Sequence, residues 1–134
     1  QDWGRIIFIS SESGVQIPSE MIHYGTTKTA QLGVARGLAQ QTSGTNVTVN
    51  SVIPGSTRSE GAEKFISDLA KEKGKSIDEI EREFFETVRP SCLIKRFATI
   101  EEVATFVTYL VSPLAAANNG AALRVDGGTI PTIL

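Results

Sequence analysis

Apolar residues recur along the chain at two spacings, which separate strands from helices. Arg5 to Ser10 (RIIFIS) is a continuous β-branched and aromatic run without helical period, predicting a strand buried on both faces, as in a parallel sheet. Ser, Gly and Pro between Ser11 and Ile22 predict a loop at that strand's C-terminal end. From Tyr24 to Gln41 the composition suits a helix, with Ala30, Val34 and Leu38 recurring every four residues and Gly44 as a stop. Gly33 and Gly37 lie one turn apart in it; each costs a helix about 1 kcal/mol relative to alanine, which predicts close approach of another helix or of the sheet.

Asn46 to Ile53 (NVTVNSVI) predicts a second strand, ended by Pro54-Gly55. Two helices follow, over Glu60 to Lys73 and Ser76 to Val88. Ser76-Ile77-Asp78-Glu79 is a capping box, in which the hydroxyl and the carboxylate satisfy orphan amides. Ile77, Ile80, Phe84 and Val88 share one face of the second helix and Phe85 widens it. A further box, Thr99-Ile100-Glu101-Glu102, opens a helix carrying Val103, Phe106, Val107 and Leu110, with Pro113 past its end. Leu123 to Asp126, followed by Gly127-Gly128, predicts a last short strand. The alternation of strands and helices predicts an α/β fold: three parallel strands joined by right-handed crossover helices.

Composition narrows the class. The 134 residues suffice for one small domain, and the 13 basic against 15 acidic side chains offer no phosphate-tracking surface, so nucleic acid is not an expected partner. A single cysteine, Cys92, and a single histidine, His23, exclude a disulfide framework and a Cys/His metal cluster. Apolar runs such as Ile6 to Ile9 are far short of the roughly 20 residues of a membrane span, so no membrane is expected either. No basic segment leads into an apolar one as in a secretory signal, which gives the cytoplasm as the expected location. Between residues 60 and 86, nine acidic face five basic residues. This reads either as a solvated helical surface or as a lid over a pocket at the strand ends, where open α/β sheets bind ligands.

Tyr24 and Lys28, spaced i, i+4, project from one helix face. A phenol beside an ammonium is a useful acid–base pair, because the positive charge favours the phenolate. Ser11 lies thirteen residues before Tyr24 at the end of a buried strand, where a hydroxyl can meet a ligand, although alone it reads as a turn-capping serine. Ser11 lacks the glycines of a hydrolase elbow, since Ile9 and Ser13 occupy those positions. Adjacent to Tyr24 but about 100° away around the helix, His23 reads as a surface or pocket-rim residue. Cys92 reads as a small buried hydrophobe and Asn50 as a local hydrogen-bonding residue in its strand. Phe65, Phe84 and Phe85 read as packing residues, with lining of an apolar substrate pocket as the alternative.

Ile9-Ser10-Ser11-Glu12-Ser13-Gly14, Tyr24-Gly25-Thr26-Thr27-Lys28, Val49-Asn50-Ser51-Val52-Ile53-Pro54-Gly55 and Val125-Asp126-Gly127-Gly128, in that order, resemble the motifs of the short-chain dehydrogenase/reductase family over nearly the whole chain. The resemblance implies hydride transfer between NAD or NADP and a small-molecule alcohol or carbonyl compound. In it Tyr24 is the acid/base, Lys28 favours the phenolate and hydrogen-bonds the nicotinamide ribose, and Ser11 holds the substrate oxygen. Pro54 and Gly55 would pack against the nicotinamide, with Thr57 and Ser59 near its carboxamide and phosphates. Ser59 stands where many members have threonine. Residues 56–97 would be the substrate-lid helices.

A glycine-rich turn that follows a strand and opens a helix, which dinucleotide binding requires, is absent from this sequence, and the only methionine is Met21. The expectation is therefore the C-terminal half of a doubly wound, Rossmann-like domain, inactive alone. It would associate with its N-terminal half or form a homodimer or homotetramer, through the helix starting at Tyr24 and through the final helix and strand. Arg89, Lys95 and Arg96 are candidates for an anionic substrate. A catalytically silent structural or regulatory subunit with the same fold is the alternative.

Overall fold

Three strands form where the apolar runs lie: β1 (Gly4–Ile9), β2 (Val47–Pro54) and β3 (Ala122–Val125). In the computed structural model, which describes residues 2–133, they pair in parallel in the order β1-β2-β3, with Ile6 opposite Val49 and Val52 opposite Leu123. β2 is central and residues 48–53 are all buried, the setting that an uninterrupted run suits. Asn50 is fully buried there, and its amide is satisfied on both sides: Nδ2 donates to the Asn118 carbonyl (2.7 Å) and Oδ1 accepts from the Ala121 amide (3.1 Å).

Helices cover both faces of the sheet. On one, Phe8 and Val49 pack against Leu38, Ala35 and Ala39 of α1 (Ile22–Gln41). On the other, Ile7, Val52 and Leu123 pack against Phe106, Val107 and Leu110 of α4 (Ile100–Val111). The parallel strands with crossovers on both sides are the expected doubly wound α/β arrangement.

Several expectations about faces are corrected. β1 is an edge strand, and Ile6 and Ile9 remain 41% and 46% exposed rather than buried on both sides. On α1 the buried positions are Gly25, Ala35 and Ala39, while Ala30 and Val34 point outward. Gly33 and Gly37 approach neither sheet nor helix: a Cβ built on either meets no atom within 4 Å. α1 lies on the sheet through its alanines, and the apolar periodicity of Ala30 and Val34 belongs to its open side.

Between β2 and α4 the chain builds a subdomain with its own core. α2 (Glu60–Lys73) is capped by Ser59, and α3 (Ile77–Glu83) by the Ser76/Glu79 box. The helix expected to run to Val88 instead widens at Phe84–Val88 into one π turn. Phe84 and Phe85 then meet edge to face with centroids 5.0 Å apart, and both rings touch Phe97. Phe85, Ile66, Ala70, Ile80, Cys92 and Phe97 form this core, whereas Ile77 and Val88, expected on the packed face, are about half exposed. Thr57 and Ala98 pair across the neck, with Arg58 N to Ala98 O at 2.8 Å and Ala98 N to Ser56 O at 2.9 Å.

The Thr99/Glu102 box opens α4 as expected. Hydrogen bonds from the Arg96 guanidinium, first, and from the Thr99 amide lower the Glu102 pKa to about 2.

Candidate active site

The C-terminal ends of β1 and β2 floor a cavity of about 450 Å³, roofed by α2, the π turn and Phe97. Past β1 the ladder continues for one more bond, Ser10 N to Val52 O at 2.8 Å, and the chain then makes a 3₁₀ turn, Glu12–Gly14. Ser11 caps that turn, its Oγ accepting from the Ser13 amide at 3.1 Å. Ser11 therefore caps its turn, with an acceptor lone pair committed to the cap, and also lines the cavity.

Glycines bring this turn against α1. A Cβ on Gly14 would lie 2.9 Å from the Lys28 carbonyl carbon, and one on Gly25 would lie 2.6 Å from the Ile17 side chain and 2.7 Å from the Ser13 carbonyl oxygen. The contact is sealed by Thr29, whose hydroxyl bonds the Gly14 carbonyl (2.6 Å), and by Ser10, whose hydroxyl donates to the Lys28 carbonyl (2.9 Å). This packing brings Ser11 and Tyr24 to the same cavity. The Tyr24 hydroxyl has no hydrogen-bond partner among the described residues.

Lys28 lies outside the lining. Its Nζ donates to the Ile9 carbonyl (3.0 Å) and to Gln31 Oε1 (3.5 Å), and sits 5.6 Å from the centre of the Tyr24 ring. A three-donor ammonium so placed retains an N–H for a further acceptor.

Pro54 ends β2 and Gly55 follows at the floor. Gly55 is required by close approach of the last strand's end, since a Cβ there would lie 2.6 Å from the Asp126 carbonyl oxygen. Thr57 donates its hydroxyl to the Gly55 carbonyl (3.0 Å), and the Ser59 hydroxyl accepts from Ala62 N (3.3 Å) as the α2 cap; both line the cavity. The Ser56 and Thr57 amides donate to no atom of the described residues. The Asp126-Gly127-Gly128 turn holds the segment that follows the π turn: Gly127 O accepts from Leu93 N (2.9 Å) and Ile94 N (3.2 Å), while the Asp126 carboxylate caps Gly128 N and Ile130 N.

A neighbour of Ser11 escaped the sequence reading. Glu12 is 4% exposed and accepts from Arg89 Nε (2.8 Å) and from the Ser13 hydroxyl (2.6 Å). The pair ties the loop after β1 to the end of the π turn across 77 positions, a separation over which no sequence pattern operates. Of the three cations considered for an anionic substrate, Arg89 is held by Glu12, Lys95 gives one N–H to Pro90 O (2.7 Å), and Arg96 grips Glu102 with both terminal guanidinium nitrogens; none of the three lines the cavity. His23 is exposed, and Cys92 is buried among the lid's aromatic rings. Phe65, expected as packing, is 59% exposed and lines the cavity, as does Phe84. Among the described residues no group of three His, Cys, Asp or Glu could hold a metal, and no helix is long and apolar enough to cross a membrane.

Comparison with known proteins places these features in a family setting. A family profile described as enoyl-(acyl carrier protein) reductase matches residues 1–129. The chain is 48% identical over 130 residues to YvaG and 45% identical over 130 residues to YvrD, two proteins of Bacillus subtilis (strain 168) each named an uncharacterized oxidoreductase. In both cases 97% of this chain and 49% of the relative are covered, so it spans about half the length of these relatives. The crystal structure of L-sorbose reductase from Gluconobacter frateurii, complexed with NADPH and L-sorbose, superposes with a TM-score of 0.90 at 30% identity, over 98% of this chain and 49% of that one.

Proposed function

The chain belongs to the short-chain dehydrogenase/reductase family, and on that premise we propose that it carries the acid–base site of a cytoplasmic NAD(P)-dependent oxidoreductase acting on a secondary alcohol or its ketone. The observation that carries the reading is the shared cavity: Ser11 and Tyr24 both line it, with a tyrosine hydroxyl unpartnered among the described residues and an ammonium over the face of its ring.

The residues fit a nicotinamide cofactor. Gly55 presents bare backbone at the floor, the Ser56 and Thr57 amides are free among the described residues, and Lys28 keeps an N–H. Pro54, Gly55, Thr57 and Ser59 would hold the nicotinamide end, with Tyr24 and Lys28 on its ribose. When bound, that group supplies or accepts the hydride. Ser11 orients the substrate oxygen with its remaining hydroxyl proton, and Tyr24 delivers a proton to that oxygen during reduction or removes one during oxidation. The NADPH of the sorbose reductase complex supports a nicotinamide cofactor without choosing between NAD and NADP.

The same reading has this chain inactive alone, working with a further segment that completes the cofactor site, in a homodimer or homotetramer. The open side of α1, with Gly33, Val34 and Gly37 uncovered, supports a helix-to-helix contact there. Light scattering of the whole protein checks it; a monomer overturns it.

The decisive experiment follows reduced-nicotinamide absorbance with the whole protein and its Tyr24→Phe variant. Turnover should fall by about 10²- to 10⁴-fold, the range for a positioned acid, while cofactor binding by titration is retained. Unchanged ketone reduction by the variant overturns the assignment, and an unmodified protein that binds cofactor without turnover supports the silent-subunit alternative.

A further inference from the structure

Glu12 is a buried carboxylate that the proposed chemistry leaves without a task. It is 4% exposed and lines the cavity together with Ser11. The turn itself does not call for it. The Ser11 hydroxyl caps that turn through Ser13 N, and the bonds from Val15 N (3.0 Å) and Gln16 N (2.9 Å) go to the Glu12 carbonyl, so they need only backbone. Taking a carboxylate and a guanidinium out of water costs about several kcal/mol per ion, and well-packed apolar residues often hold a fold as well. Stability alone is therefore a weak reason for the pair.

The contacts of the carboxylate run in two directions. Toward Ser11, Glu12 Oε2 accepts from the Ser13 hydroxyl (2.6 Å), and the Ser13 amide in turn donates to Ser11 Oγ (3.1 Å). Ser13 is 3% exposed, and its carbonyl lies against Gly25, the neighbour of Tyr24 in α1. Toward the π turn, Glu12 Oε1 accepts from Arg89 Nε (2.8 Å), and the Arg89 amide donates to the Phe84 carbonyl (2.9 Å), the bond that closes the turn. Phe84 lines the same cavity. One carboxylate thus joins two lining residues from distant parts of the chain, Ser11 and Phe84.

We propose that Glu12, held by Arg89, is a positioning residue for the reaction: it keeps the loop that carries Ser11 at a fixed distance from the π turn, so that a carbonyl oxygen received by the Ser11 hydroxyl stays within reach of the Tyr24 hydroxyl. This deepens the oxidoreductase reading and rests on it for the reacting groups. A displacement of about 1 Å at a reacting centre can cost about 10²-fold in rate, which is reason enough to fix the loop with a buried pair. Glu12 transfers no proton and acts through Ser11.

The test uses the whole protein with a reduced nicotinamide cofactor and whichever of 2-butanone, cyclohexanone and acetophenone it reduces fastest. Glu12→Gln combined with Arg89→Met removes the ion pair and strands no buried charge, so stability and positioning come apart. With the denaturant midpoint recovered, kcat should still fall by about 10- to 100-fold while KM moves by less than about threefold. In a Ser11→Ala background the same two substitutions should cost about twofold or less, because the residue they act through is gone. Arg89→Lys keeps the charge without the planar Nε–H and replaces the double variant if that one does not fold; it should lower kcat by about fivefold or more. A turnover-independent arm reads hydrogen exchange at the Ser13 amide, which should quicken about tenfold in either variant while the β2 amides keep their protection. Unchanged kcat, an equal loss in the Ser11→Ala background, or unchanged Ser13 exchange overturns the proposal and leaves the oxidoreductase reading standing. Faster Ser13 exchange without reduction of any ketone by the unmodified protein upholds the link from Glu12 to Ser11 and overturns the oxidoreductase reading.

Discussion

The sheet with α1 and the segment between residues 56 and 97, expected to serve as a lid, border the same cavity and are built by opposite means. The sheet side is assembled from backbone contacts: glycines at 14, 25 and 55 leave no space for a Cβ, and the hydroxyls of Ser10 and Thr29 close onto carbonyls. The lid is assembled from side chains, with three phenylalanine rings and Ile66, Ile80 and Cys92 packed into a core of their own. Backbone contact fixes atoms to tenths of an ångström and tolerates no enlargement, which suits groups that must meet a reacting atom. A side-chain core can be resized residue by residue without moving the strands, which suits a surface that chooses substrates.

If the two regions are separable, damage to one should spare the other. Phe85→Ala removes the most enclosed ring of the lid and should cost about 3–5 kcal/mol. Hydrogen exchange should accelerate in α2 and α3 while the β2 amides keep their protection. Equal acceleration in β2 would show one cooperative unit and end the distinction.

Glu12–Arg89 ties the regions directly and is the most buried ion pair among the described residues, with side chains 6% and 12% exposed. Arg89→Ala, which strands a buried carboxylate, should cost about 3 kcal/mol, and Glu12→Gln combined with Arg89→Met should recover most of it. Denaturant unfolding reads both; additive losses in the double variant would mean that the two residues act separately.

The smallest effect lies beyond the lid, at the start of α4. Glu102 has its pKa lowered to about 2 by Arg96 and the Thr99 amide, so its contribution is complete above the ordinary carboxylate value of 4.5 and fades as pH falls from there toward 2. Arg96→Gln should raise the Glu102 midpoint in an NMR titration while the lid core stays folded. An unchanged midpoint would remove Arg96 as the main cause.

How far the sequence could be read follows the same division. The strands and both capping boxes were legible because each depends on neighbours a few residues away, and local propensity acts over that range, whereas Ser11, Tyr24 and Lys28 were candidates by their spacing and by the order of the motifs that hold them. The exposed faces of β1 and α1 were not, since periodicity reveals an apolar stripe but not whether something covers it. Ala30 and Val34 repeat at helical spacing as regularly as the buried alanines do. Phe65 and Phe85 are equally aromatic in the sequence and end 59% and 2% exposed.

By itself, then, the sequence determined the order of strands and helices, the parallel topology and the identity of the acid–base candidates. Only the tertiary structure decided that Glu12 and Arg89 would neutralise each other, that a π turn would carry Phe84 and Phe85 onto Phe97, and that Phe65 would line the cavity. Those outcomes depend on pairs separated by up to 77 positions. Such contacts are selected by burial and by the desolvation of charge once the chain is packed, and those forces leave no periodic mark along it.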